Sequence, residues 1–144
     1  MEGIEHIKHC NKTLAIIIRT DFQKDGIEFF TPDVFSQQLA YMKRKKDYLI
    51  SPHIHNIVKR DIDITQEGLF IKSGIVRIDF YNDSELYLES RILNKGDVIL
   101  LANGGHGFKM IEESEIIEVK QGPYIGSLDK ERFASVLEKD VKIL

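Results

Sequence analysis

The chain has 144 residues, 42% of them hydrophobic and 30% charged, and a formal net charge of −3 at pH 7. That length suits one domain with a real core, and the slight acidity argues against a protein that grips nucleic acid by neutralising phosphates, which needs a basic face. Cys10 is the only cysteine, so neither an intrachain disulfide nor a cysteine-based zinc cluster can form. No apolar run approaches a membrane span. The opening Met1-Glu2-Gly3-Ile4-Glu5 lacks the basic-then-apolar order of a signal peptide, and a cytoplasmic protein is the simplest expectation.

In chain order, Leu14-Ala15-Ile16-Ile17-Ile18 is short and β-branched, the pattern of a buried strand. Asp25-Gly26 signals a turn before a short strand at Ile27-Glu28-Phe29-Phe30. Leu39-Ala40-Tyr41-Met42 and Tyr48-Leu49-Ile50 flank the basic run Lys43-Arg44-Lys45-Lys46, which reads as a solvated turn. The two are expected to be the strands of a hairpin, the second running into Ser51-Pro52-His53-Ile54-His55. A strand from Glu67 stops at Gly74 and gives way to Ile75–Tyr81, and Asn82-Asp83-Ser84 is turn chemistry. Strands follow at Leu86–Leu88 and Arg91–Leu93, then a turn at Asn94-Lys95-Gly96-Asp97. Asp97–Ala102 reads as a strand buried on both faces. Asn103-Gly104-Gly105 allows a sharp bend before His106, and Ile111 and Ile116–Val119 suggest two last strands. Only the tail has helical spacing: Ser127 is a plausible N-cap, with Phe133, Val136, Leu137 and Val141 on one face, predicting a C-terminal helix over about 127–140. Many short strands at regular intervals mean an all-β sandwich or barrel.

His53 and His55, one residue apart in a strand, would point to the same side and present two imidazoles to one point. Glu67 shares a face with Leu69 and Ile71, so it faces a barrel interior if they do. His106 adds a third imidazole after a glycine bend. By contrast, His6 and His9 lie in the polar N-terminal segment and read as structural or exposed. Glu118, on the face of Ile116 and Lys120, reads as outward and ion-paired. Arg60 is a candidate contact for an anionic substrate, and Tyr41 and Tyr124 are candidate substrate contacts with a packing role as the simpler reading.

Taken together, the H-x-H at His53 and His55, the spacing from Glu67 to Gly74, and Gly96-Asp97 followed by an apolar strand, a glycine bend and His106 resemble the cupin superfamily. The likeness covers roughly Tyr48 to Tyr124. The Asn56–Gln66 interval is longer than the family's, Ala102 stands at the bend proline, and Met110 stands at the late asparagine. The resemblance implies a double-stranded β-helix, or jelly-roll, barrel. It divides the single domain into an N-terminal strand extension over 1–38, the barrel over about 39–124 and the terminal helix. It implies one divalent transition metal (iron, manganese, nickel, cobalt or zinc) held by His53, His55, Glu67 and His106, and a homodimer. The close Glu118-Val119-Lys120-Gln121-Gly122-Pro123-Tyr124 is similar to that of small cupins from bacterial surface-polysaccharide gene clusters. The function this implies is a metal-dependent enzyme on a small molecule such as a sugar or sugar nucleotide, of isomerase, epimerase or oxygenase type. A non-catalytic ligand-binding or sensing protein and a metal-free sugar epimerase are the alternatives.

Overall fold

The computed structural model describes residues 1–144. It is all-β, and the strands in chain order are β1 (Ile4–His9), β2 (Lys12–Ile18), β3 (Gly26–Phe29), β4 (Ala40–Lys43) and β5 (Glu67–Ser73). They are followed by β6 (Ile75–Tyr81), β7 (Tyr87–Asn94), β8 (Val98–Leu101), β9 (Gly105–Met110) and β10 (Glu115–Lys120). The chain forms two compact units, Met1–Phe22 with Thr65–Leu144, and Gln23–Ile64.

In the first unit, a five-stranded sheet runs β1-β2-β8-β5-β10 and a three-stranded sheet β7-β6-β9, with every strand pair antiparallel. Alternation decides what lies between them. Leu69 and Ile71 of β5 and Ile99 and Leu101 of β8 share one core with Val76, Ile78 and Phe80 of β6 and Leu93 of β7. The run Leu14–Ile18 is buried at every position, as its apolar, largely β-branched content required. The strands at Ile4–Ile18, expected as an extension ahead of a barrel, are integral to the larger sheet, where β2 pairs with β8.

Turn chemistry sets the connections. Gly74 (φ +81°) separates β5 from β6, and Gly96 (φ +90°) sits in the turn before β8. Asn82 Oδ1 accepts from the amides of Ser84 (2.9 Å) and Leu86 (3.0 Å), closing the β6–β7 turn as an Asx side chain does.

In the second unit, β3 pairs antiparallel with β4, Ile27 opposite Met42 and Phe29 opposite Ala40. The expected partner of Ala40–Met42, Tyr48–Ile50, is not a strand, and no strand occurs between β4 and β5. The basic run closes on itself instead. The Tyr48 amide donates to Lys45 O at 3.2 Å, and the Arg44 guanidinium lies 4.7 Å above the Tyr48 ring, a cation–π contact that turns Tyr48 away from a ladder.

The predicted C-terminal helix is absent. Two single 3-10 turns, Gly126–Leu128 and Glu138–Asp140, are the only helical elements of the tail. The rest is extended because its amides find partners on the three-stranded sheet. The Val136 amide donates to Tyr81 Oη (3.0 Å) and the Lys142 amide to Tyr87 Oη (2.7 Å). Ser90 donates its amide to Lys142 O (2.7 Å) and accepts from the Leu144 amide (3.1 Å). Phe133, Val136 and Val141 are half-buried in this arrangement, while Leu137, on the same expected helical face, is 61% exposed.

That tail covers the outer face of β6, where the alternation would place solvated residues. Arg77, Asp79 and Ser90 are buried there. Arg77 makes two bonds to Asp79 (Nε to Oδ1 2.8 Å, Nη2 to Oδ2 3.0 Å), and Ser90 Oγ donates to Asp79 Oδ1 at 2.5 Å. Glu138 of the tail reaches Arg77 Nη1 and Lys109 Nζ, each at 2.9 Å. No buried side-chain polar atom lacks a partner, as a buried charge network needs.

Candidate functional site

Glu67 and His106 meet between the two sheets. Glu67 opens β5 and, by parity, continues the inward row of Leu69 and Ile71, opposite Leu101 of β8. His106 is the second residue of β9 and lies opposite Phe80 of β6, a core residue. Two strands from different sheets therefore aim these side chains at one place, and His106 Nε2 stands 3.3 Å from Glu67 Oε2. Glu67 is 13% and His106 30% exposed at the side chain, so the pair is shielded on the protein side and open on one. The Phe108 ring, two residues on and on the same face, lies 5.6 Å from the imidazole in an edge arrangement.

A third charged group belongs to this place. Lys120, the last residue of β10, is directly opposite Glu67. Its Nζ is 3.9 Å from Glu67 Oε1, 3.7 Å from Glu118 Oε1 and 3.5 Å from Asp129 Oδ2. Glu67 thus divides its oxygens, one toward the imidazole and one toward the ammonium. The hydrogen bond with His106 holds the Glu67 carboxyl below its ordinary range; partial burial opposes this, and the charges of His106, Lys120 and Lys130 add to it. For Lys120, burial works against the ammonium, but Glu118, Glu67 and Asp129 together raise it above its ordinary value. Both shifts favour the charged forms of Glu67 and Lys120.

Of the residues singled out in the sequence, His53 and His55 lie in the second unit. They sit on an exposed stretch without strand structure, contrary to the expected strand. His53 Nδ1 is 3.0 Å from Ser51 O, and the two rings are 5.2 Å apart, edge to face. They are neighbours through chain proximity rather than through a pleat. Arg60, also in the second unit, is exposed and donates to Val58 O at 3.3 Å. It lines an open cleft of about 700 Å³ with Phe29, Asp33, Phe35 and Asp61. Tyr41 is on β4, opposite Glu28. Tyr124, in the first unit, is 77% exposed, and its ring centroid lies 5.9 Å from Lys120 Nζ.

Neither unit gathers three or more His, Cys, Asp or Glu side chains into a group that could hold a metal ion. No family model matches the chain, and no curated protein or solved structure does either.

Lys120 is what sequence reasoning missed. Glu118 is exposed and ion-paired as expected, 3.7 Å from Lys120 Nζ, but Lys120 was given no role, although Ile116 of the same face packs against the core. The signal was available in that alternation: an apolar residue at the start of the strand marks its face as inward, and Lys120 follows in phase. What the chain order does not give is the partner strand, and only the pairing with β5 sets Lys120 opposite Glu67.

Chemically, an imidazole and a carboxylate on rigid strands can do two things. They can supply two ligands to a divalent metal, since both donor types suit first-row transition ions. Alternatively, the carboxylate can orient the imidazole and support it as an acid or base.

Proposed function

We propose that the chain is a jelly-roll cupin that binds one divalent transition metal and acts on a small molecule, a sugar or sugar nucleotide being the leading candidate. The observation that carries this reading is the contact between Glu67 and His106. The two are distant in sequence and come from strands of different sheets, yet they converge at 3.3 Å, and they are the two first-unit members of the ligand set implied by the motifs. Their donor types fit iron, manganese, nickel, cobalt or zinc. His53 and His55, which lie in the second unit, are the other two residues of the set that the motif resemblance implies.

A metal held there supplies Lewis acidity toward a carbonyl or phosphoryl oxygen. The chain's own contribution is positional. The strands fix the pair more tightly than loops would, Phe108 limits water on one side of the imidazole, and Lys120 keeps a positive charge beside the Glu67 oxygen that His106 leaves free. Tyr124 beside Lys120 is the proposed contact to substrate in the first unit, and Arg60 and Tyr41 are the candidate contacts of the second unit, taken by itself. A homodimer belongs to the same reading.

A second reading rests on the same 3.3 Å contact. With Glu67 holding its tautomer, His106 would serve as the base of a metal-free epimerase. The two are separated by metal analysis of untagged protein and titration with manganese, cobalt, nickel and zinc. Near-stoichiometric binding, lost in His106→Ala and in the His53→Ala/His55→Ala double variant with folding retained, supports the metal reading. Failure of every ion to bind refutes it. Turnover of a nucleotide-sugar panel by metal-free protein, lost in His106→Ala, is the signature of the second.

A further inference from the structure

The two sheets of the first unit end in four edge strands, β1 and β10 on one and β7 and β9 on the other. The β7 edge is taken by the tail, through the Ser90 amide on Lys142 O and the Leu144 amide on Ser90 O. The β1 edge carries a bulge between Ile7 and Lys8, with His6 and Lys8 exposed. The β9 edge carries Gly105, Gly107 and Lys109. Cover, bulges, charges and weak strands are how natural sheets keep an edge from recruiting another chain.

β10 is less protected. It is bonded on one side only, to β5, and its single irregularity falls at its start, between Glu115 and Ile116. From Ile116 to Lys120 it holds neither glycine nor proline. Its outer face is apolar: Ile117 is 52% and Val119 66% exposed, and Phe70 of β5, directly opposite Ile117, is 40% exposed. Such an edge is a template for one more strand. The charges of the other face, Glu118 and Lys120, decide which strand fits. Two antiparallel copies of β10 about a two-fold axis set opposite residues on the same face. With the axis at Val119, Val119 meets the partner's Val119, and each Glu118 stands opposite the partner's Lys120. An axis at Glu118 or at Lys120 would set like charges directly opposite each other, which destabilises. An axis at Ile117 would leave Glu118 opposite the partner's Ile116. The strand is thus charge-complementary to itself in one register.

We propose that β10 is the interface with a second copy of this chain, pairing antiparallel with the partner's β10 about a two-fold axis at Val119, so that the two five-stranded sheets become one. This gives the homodimer of the reading above its surface, and it does not depend on the metal. It also brings the partner's Glu118 beside Lys120, at the edge of the Glu67–His106 site. An interface of one strand is at the small end of those that persist in solution, so the dimer should dissociate in the micromolar range.

The test is sedimentation velocity of the full chain in chelator, from low to high micromolar concentration, where monomer should pass into dimer. Val119→Asp and Val119→Lys each set like charges on the axis and should raise the dissociation constant by about tenfold or more. Val119 is largely exposed, so both variants should keep the fold, as circular dichroism checks. An equimolar mixture of the two should dimerise at least as tightly as the wild type, because aspartate then faces lysine. Only a contact that sets Val119 against itself gives that rescue. Glu118→Lys, which sets lysine against lysine in both charge pairs, should weaken the dimer severalfold by a second route. A wild-type chain that stays monomeric overturns the proposal and leaves the edge to a strand of another protein. A dimer indifferent to Val119→Asp and to Glu118→Lys, or a mixture of the two Val119 variants that stays monomeric, overturns it too. With chelator present throughout, none of these results bears on the metal reading, whose failure is read by the titrations above.

Discussion

Asp97 offers the sharpest test of how the first unit is held together. Its side chain is 2% exposed and accepts three bonds. Oδ1 takes the Thr20 amide at 2.9 Å, while Oδ2 takes the Asn94 amide at 2.9 Å and Arg19 Nη1 at 2.8 Å. It thereby closes the β7–β8 turn and ties it to the end of β2. Asp97→Ala leaves two backbone amides without their acceptor, at about 1–3 kcal/mol each where buried. Arg19 suffers less, because it retains Glu5 (2.6 Å) and Ile92 O (2.7 Å) and is 21% exposed. The sum falls near the roughly 3–5 kcal/mol typical of breaking a buried pair from one side. Asp97→Asn should cost about 2 kcal/mol, because its amide must turn a donor toward either Thr20 or the Asn94–Arg19 side, which accepts nothing. Urea unfolding followed by far-ultraviolet circular dichroism, with the slope held in common, measures both. A loss below about 1 kcal/mol for Asp97→Ala, less than one stranded amide should cost, would refute the account, as would Asn proving costlier than Ala.

Further outcomes follow from two glycines and from the arm. Gly74→Ala should destabilise by more than about 2 kcal/mol by the same assay: φ is +81° and an added Cβ lies 2.3 Å from Glu113 O, a backbone atom that cannot swing aside. Gly107→Ala, whose Cβ would meet only a Tyr81 ring carbon at 3.9 Å, should be tolerated within about 0.5 kcal/mol. The Glu138 carboxyl is lowered from 4.5 to about 2 by hydrogen bonds from Arg77 and Lys109. A depressed carboxyl stabilises above its unfolded value and loses that contribution as pH falls through the folded one. The arm should therefore loosen between about pH 4.5 and 2, read as movement of the Val136 and Lys142 amide resonances. High salt should weaken the effect because Glu138 is exposed, and Glu138→Gln should show the loosened positions already at neutral pH.

How far the sequence could be read depends on whether the deciding interaction is local. β5 and β6 were legible because Leu69 and Ile71 alternate with polar neighbours and Gly74 marks the break, and Leu14–Ile18 because a β-branched run has few other fates. The tail was not, because Phe133, Val136, Leu137 and Val141 satisfy helical spacing equally well in isolation. What defeats the helix is a set of acceptors, Tyr81 Oη, Tyr87 Oη and Ser90 O, that lie far away in the chain. The same covering explains why Arg77 and Asp79, which alternation assigns to solvent, are buried. Tyr48–Ile50 failed as a strand for a local reason the pattern did not weigh, the closure of Lys45 and Arg44 onto Tyr48.

The site divides along the same line. Glu67 was placed by parity with Leu69 and Ile71, and His106 by its position after the glycine bend, and these two arguments are local and hold for the side chains that converge. The pairing of His53 with His55 was also argued from parity, but it presupposed a strand, and the stretch that carries them has none. Their proposed role must therefore come from somewhere other than pleat geometry, which makes the double variant more informative than either histidine alone. Lys120 and Asp129 needed two non-local facts together: that β10 pairs with β5 in the register that puts Lys120 opposite Glu67, and that the tail stops at the single turn Gly126–Leu128, which leaves Asp129 alongside Lys120. A helix begun at Ser127 would have carried Asp129 on its first turn, with backbone donors near its carboxylate to compete for it. The chain makes only the single 3-10 turn Gly126–Leu128, Asp129 follows at its C-terminal end, and the carboxylate lies 3.5 Å from Lys120 Nζ.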